Sequence, residues 1–356
     1  MTGRGVDQIL PDPSEPDLFE RWMKSALGYV ALAEARSGPI ARPVGFDEVW
    51  GDALELWRRE PPDLRIANLE TSVTRSGDWA PKGINYRMSP GNVGVLKAAG
   101  FDCCVLANNH VLDWGRAGLI DTLEALDRAG VARAGAGRTL AEARAPAVLE
   151  TRGKRRVLVY SLAAQSSGAP ASWAAGPYAP GVNLTDLSVQ AAEALAAEIR
   201  AARRPGDAAL VSIHWGGNWG YHVPEAHRDF ARRLISAGGV SIVHGHSSHH
   251  PLGVEIAGDR AALYGCGDFL NDYEGIEGYE AYRSELVLGY VAEVDPTCGA
   301  VISLEAHPFR IGRLRLNRAS REETEWLARR LDRESAAFGV RVRAAGGRLR
   351  FERART

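Results

Sequence analysis

Residues 101–115, FDCCVLANNHVLDWG, decide how this chain is read. Phe101–Ala107 is an apolar run too short for a helix, and it predicts a buried strand. The run stops at Asn108-Asn109-His110. Asn is at home in turns, but two Asn and a His directly behind a buried strand place chemistry at a strand end. Three other predicted strands stop the same way. LRIANL (64–69) runs into Glu70, ALVSI (209–213) into His214, and SIVHG (241–245) into His246, with His249 three residues on. In open α/β sheets ligands bind beyond the carboxyl ends of the strands, so four such ends predict one shared site.

Around these strands the periodicity alternates. Helical, amphipathic patterns cover Asp17–Ala35 and Phe46–Arg59, and shorter ones Asn92–Ala99 and Gly118–Ala129. Arg156–Leu162 predicts a strand, Asp186–Ala202 and Pro224–Ala237 helices, and Val240–Val243 a strand. From Val254 onward the pattern is mainly strands, followed by a helix over about 321–337 and a short Arg-rich hairpin. Alternation followed by a run of strands predicts a layered α/β fold. Residues 1–310 are read as one domain with a helical insertion over about 15–60. Residues 311–356 add a C-terminal helix and hairpin to the same domain.

Composition narrows the function. The chain has 356 residues, 43 Lys+Arg against 44 Asp+Glu, and a formal net charge of −1. Such a balance does not suit a protein that coats nucleic acid or an anionic membrane. The four Cys (103, 104, 266, 298) are too few for a disulfide framework and read as free thiols. No apolar leader and no membrane-length apolar stretch occurs in the sequence, which reads as cytoplasmic.

The strand-end residues have a coherent chemistry. Imidazole, carboxylate and Asn carbonyl without thiolate suit Mn, Fe or Zn. A carboxylate flanked by His ligands suits a two-metal hydrolytic site. His110 is the natural unligated acid or base, with Asp113 three residues on to orient its ring. His244-Gly245-His246-Ser247-Ser248-His249-His250 is a metal-binding composition in its own right.

At these residues the chain resembles the CapA-type proteins of capsule and poly-γ-glutamate synthesis, within the calcineurin-like metallophosphoesterases. The resemblance rests on NLETSVT (68–74), LANNHVLDWGRAGLIDTLEALDRAGV (106–131), IHWGGNWGY (213–221), HGHSSHHPLGVE (244–255) and LYGCGDFLND (263–272). It implies a four-layer α/β/β/α sandwich with two divalent ions between the sheets. Glu70, Asn109, His214, His246 and His249 would be the metal ligands, and His110 the catalytic histidine. His244 and His250 would either support the ligands from behind or be bystanders, and Asp268 would lie nearby. One departure is evident. Relatives carry a strand ending in a Gly-Asp shortly before a Gly-Arg. Here Gly3-Arg4-Gly5 matches the later half, and Asp7 lies too far along to replace the Asp. The resemblance therefore implies a missing ligand and unpaired neighbouring strand edges.

Two functions follow as expectations. One is a metal-dependent phosphoesterase-type hydrolase acting on a small molecule or an anionic polymer. The other is a non-hydrolytic accessory protein that binds such a polymer. In either case Trp215, Trp219, Tyr221 and Arg87, with Trp173 and Lys82, are the candidate binding surface.

Overall fold

The computed structural model describes residues 1–354. Cys103-Cys104 shows how the layers arise. Successive residues of a strand face opposite ways, so Cys103 packs with Val159 and Ala134 between two sheets, while Cys104 joins Leu119 and Leu123 under the outer helices. Both faces of this strand are covered, which explains its unbroken apolar run.

Three parallel strands, Ile66–Asn68, Cys103–Val105 and Ala132–Ala134, form one sheet in that order. Facing it is a seven-stranded sheet. Its parallel part runs Leu184–Thr185, Arg156–Ala164, Ala208–His214, Ile242–His246 and Arg260–Leu263. Val254–Ala257 and Ala147–Glu150 add to it antiparallel. A five-stranded antiparallel sheet, Leu286–Val294, Val301–Ile311, Arg348–Arg353 and Val340–Ala345, with Leu316–Arg318 on the second strand, lies against the Val254 end.

Helices close both outer faces. Val189–Ala202 and Glu225–Gly238 set Leu195, Ile199, Phe230 and Leu234 on Val211 and Val243. Gly51–Arg59, Gly94–Ala98 and Gly115–Ala129 cover the other face with Leu56, Val95 and Leu123. The order is helix, sheet, sheet, helix, as the resemblance implied. Local signals set the helix ends. Ser188 Oγ accepts from Ala191 N at 3.1 Å, Ser320 and Glu323 form a reciprocal cap, and Gly130 ends its helix at φ +69°.

The N-terminal region departs from the sequence reading. The helix expected over Asp17–Ala35 spans only Leu27–Ser37. Residues 17–26 are held irregular because Glu20, fully buried, reaches back to Arg4 Nη1 at 2.9 Å and also accepts from the Tyr29 hydroxyl. Arg4 in turn grips Asp272 through Nε (2.9 Å) and Nη2 (2.6 Å). Ile66–Asn68 and Leu286–Val294 each pair on one side only. Cys103, Cys104 and Cys266 are buried free thiols, and Cys298 is an exposed one. Among the described residues no helix is long and apolar enough to cross a membrane.

Candidate metal centre

The parallel strands point their carboxyl ends to one place. Asn108 builds the first corner: its Oδ1 accepts from His110 N and Val111 N, both at 3.0 Å, and its Nδ2 donates to Leu69 O at 2.9 Å. It ties the ends of two neighbouring strands together and frees Asn109 to face the centre. Asn109 Oδ1 lies 3.1 Å from His214 Nε2, and Glu70 Oε1 lies 3.6 Å from that same nitrogen. His214 Nδ1 faces His246 Nδ1 at 2.7 Å. Ser212 Oγ stands between His246 Nε2 (2.8 Å) and His244 Nδ1 (2.9 Å).

The histidine segment is held tightly. A Cβ on Gly245 would stand 2.4 Å from Tyr264 O, so only glycine lets this strand approach its neighbour. Ser247, directly after His246, has φ +117°, a strained conformation for a non-glycine residue. His249 Nδ1 lies 3.2 Å from both Asp268 oxygens, and its Nε2 lies 3.2 Å from the Tyr273 hydroxyl.

Burial sets the charges. It pushes the Glu70 carboxyl up to about 7, although His249 and Lys82 pull the other way. It lowers His214 and His246 well below the ordinary imidazole range, and His110 and His244 to about 4. Burial also opposes a charge on His249, but the Asp268 carboxylate outweighs it and holds that imidazole above its ordinary value.

Beside these residues is a hydrogen-bonded histidine–carboxylate pair. His110 Nδ1 lies 2.6 Å from Asp113 Oδ2, and the same oxygen accepts from Tyr86 N at 2.7 Å. Lys82 Nζ donates to Asp113 Oδ1 at 2.8 Å and to the Asn109 carbonyl. Lys82 thus belongs to the His110 pair, a placement that its flanking sequence does not signal.

The remaining candidates divide. Trp219 lies 5.4 Å from the His249 ring and stacks on Tyr279 at 4.0 Å; Tyr221 packs against His250 at 4.6 Å. These form an aromatic wall beside His249. Trp215 does not face solvent: it is 2 % exposed, stacks on His227 and donates to Tyr264 O. Arg87 is also engaged elsewhere, donating to Ser76 O and Glu15 O with its guanidinium over Trp114. Trp173 is nearly buried and lies under Lys82.

Glu70, Asn109, His214, His246 and His249 suit divalent first-row ions in donor chemistry. Among the described residues no three His, Cys, Asp or Glu side chains are grouped closely enough to hold one ion.

Comparison with known proteins agrees with the motifs. The family model for "Bacterial capsule synthesis protein PGA_cap" matches residues 1–273. A Mycobacterium tuberculosis protein named "Probable polyglutamine synthesis accessory protein" is 50 % identical over 345 residues, covering 96 % of this chain and 90 % of that protein. The Bacillus subtilis "PGA biosynthesis protein CapA" is 26 % identical over 253 residues, covering 70 % of this chain and 63 % of that one. Among solved structures, a Mycoplasma pneumoniae phosphatase aligns at TM-score 0.44 and 17 % identity, over 73 % of this chain and 86 % of its own. The Haemophilus influenzae NAD nucleotidase aligns at 0.42 and 13 %, over 78 % and 54 %. These two likenesses are too distant to carry an argument. The family match and the mycobacterial relative suffice: the chain belongs to the PGA_cap family of bacterial capsule synthesis proteins.

Proposed function

We propose that the chain is a metal-dependent hydrolase with phosphoesterase-type chemistry, serving capsule or poly-γ-glutamate metabolism. The observation that carries this reading is the juxtaposition of His110, Asp113 and Lys82 with Glu70, Asn109 and His214 at one set of strand ends. Glu70, Asn109, His214, His246 and His249 would hold two divalent ions (Mn, Fe or Zn), with Asp268 orienting His249. Such ions acidify a bound water and polarise a phosphoryl oxygen.

The chain's own residues do the rest. Asp113 engages Nδ1 of His110, which leaves Nε2 as the atom that holds or moves a proton. Burial keeps that ring neutral. An anionic phosphoryl group beside it favours the imidazolium, which can then protonate a leaving oxygen. Lys82 fixes Asp113 and adds positive charge near the same position. Trp219 and Tyr279 form an apolar border that orients a substrate.

A hydrolysis panel of phosphomonoesters and phosphodiesters, run with Mn, Fe and Zn, tests this. Metal-stimulated turnover is expected, with His110→Ala lowering it at unchanged metal content. No stimulated turnover with any ion rules the reading out. In that case the second reading stands: an accessory protein that binds an anionic polymer without cleaving it. The ungrouped donors among the described residues and the name of the mycobacterial relative favour that second reading.

A further inference from the structure

Four polar side chains stand on one face of two neighbouring strands. On the parallel pair Ala208–His214 and Ile242–His246, Ser212 is in register with His244 and His214 with His246. Residues two apart on a strand share a face. The four therefore make two rungs, His214 and His246 at the strand ends and Ser212 and His244 one step behind. Ser161 continues the rear rung on the next strand, and its buried hydroxyl has no partner among the described residues. The two rungs are joined by three contacts. His214 Nδ1 lies 2.7 Å from His246 Nδ1, His246 Nε2 lies 2.8 Å from Ser212 Oγ, and Ser212 Oγ lies 2.9 Å from His244 Nδ1.

Burial keeps the three rings neutral, so each has one N–H and one bare nitrogen. Ser212 has a single hydroxyl hydrogen, and these two histidines are its side chain's only partners among the described residues. Only two arrangements then give every contact one hydrogen. In the first, all hydrogens point forward. His244 Nδ1–H donates to Ser212, Ser212 to His246 Nε2, His246 Nδ1–H to His214, and His214 Nε2–H to Asn109 Oδ1 at 3.1 Å. In the second, all are reversed, and His214 Nε2 is bare beside Asn109 Oδ1 and Glu70 Oε1. Three such acceptors facing one another repel unless a cation lies among them.

We propose that Ser212 and His244 are positioning residues, a reversible hydrogen-bond relay that bares His214 Nε2 for a divalent ion while every ring stays neutral. The inference rests on the reading of His214 as a metal ligand. Its protons balance. Reversal passes one proton from His246 Nδ1 to His214 Nδ1, one from Ser212 Oγ to His246 Nε2, and one from His244 Nδ1 to Ser212 Oγ. His214 Nε2 gives one to water, and His244 Nε2, on a ring that borders the cavity between the sheets, takes one up from water. The ligand nitrogen is exposed at no cost in buried charge.

Imidazole ¹⁵N spectra of the histidine-labelled chain at pH 8, in chelator and with Zn²⁺, test the relay. Single Gln variants assign His214, His244 and His246. In chelator the proton is expected on Nδ1 of both His244 and His246. With zinc it is expected on Nε2 of both, although His244 lies a rung behind. In Ser212→Ala, zinc should leave His244 unchanged and bind about 10–100-fold more weakly. Ser212→Thr should restore both. Ser161→Ala, which removes a hydroxyl from the same rung but no hydrogen bond, should change neither. Zinc that alters His214 while His244 keeps its tautomer overturns the relay and spares the proposed function. No zinc-dependent change at His214 in wild type is the failure of the proposed function, and the relay falls with it. If Ser212→Ala does not fold, the wild-type spectra decide: protons on unlike nitrogens of His244 and His246 in chelator overturn the relay.

Discussion

Glu70→Gln isolates the charge on which the proposed metal centre would depend. Glu70 is buried and accepts from Asn68 Nδ2 at 2.9 Å through Oε2, a bond that an amide oxygen can keep. Burial raises its carboxyl from 4.5 to about 7. The folded chain therefore keeps a proton that the unfolded chain loses between those values. The stability from the neutral form is complete below pH 4.5 and is lost as pH rises through 7. At about 1.4 kcal/mol for each tenfold, the whole displacement amounts to about 3 kcal/mol. In chelator, denaturant unfolding at pH 5 should find wild type and Glu70→Gln within about 1 kcal/mol of each other. At pH 8 the variant should be the more stable by about 3 kcal/mol. Added Mn or Zn at pH 8 should stabilise wild type more than the variant, because the ionised carboxylate then has a partner. A wild-type/variant difference that is the same at pH 5 and pH 8 in chelator refutes the reasoning.

Other outcomes follow from the same geometry. Arg4→Met leaves Glu20 and Asp272 buried without their partner and should cost about 3–5 kcal/mol. The triple variant Arg4→Met, Glu20→Gln, Asp272→Asn should recover most of that loss in denaturant titrations. His110 and His244, lowered to about 4, take up protons on unfolding below pH 6.5. Stability present above pH 6.5 is therefore lost as pH falls toward 4, by about 2 kcal/mol each at pH 5. Unfolding midpoints of His110→Gln and His244→Gln in chelator should show correspondingly flatter acid limbs. On the proposed function, Asp113→Asn should lower turnover about 10–100-fold with metal content unchanged, read by steady-state kinetics beside metal analysis.

Much of this was legible from the strands. Runs such as 101–107 and 209–213 are apolar on both faces because helices cover one side and a second sheet the other. Their polar ends are conspicuous for that reason, and Glu70, Asn109 and His214 meet within 3.6 Å. Partnerships between distant residues were not legible. Arg4 and Asp272 are joined across 268 positions of the chain, and that bond, with Glu20, replaces ten residues of expected helix by irregular backbone. Lys82 reads as part of the binding surface, and only the fold sets its Nζ on Asp113. Trp215 sits on a glycine-rich loop, which suggested exposure, but stacking on His227 draws it into the core. Neighbouring residues do not encode such contacts.

Divalent-ion binding at the strand-end residues is measured by equilibrium titration of the chelator-treated chain with Mn²⁺ or Zn²⁺. Saturable binding is expected, weakened by His214→Ala and by His249→Ala and left intact by His110→Ala. No saturable binding, or binding indifferent to His214 and His249, would contradict it.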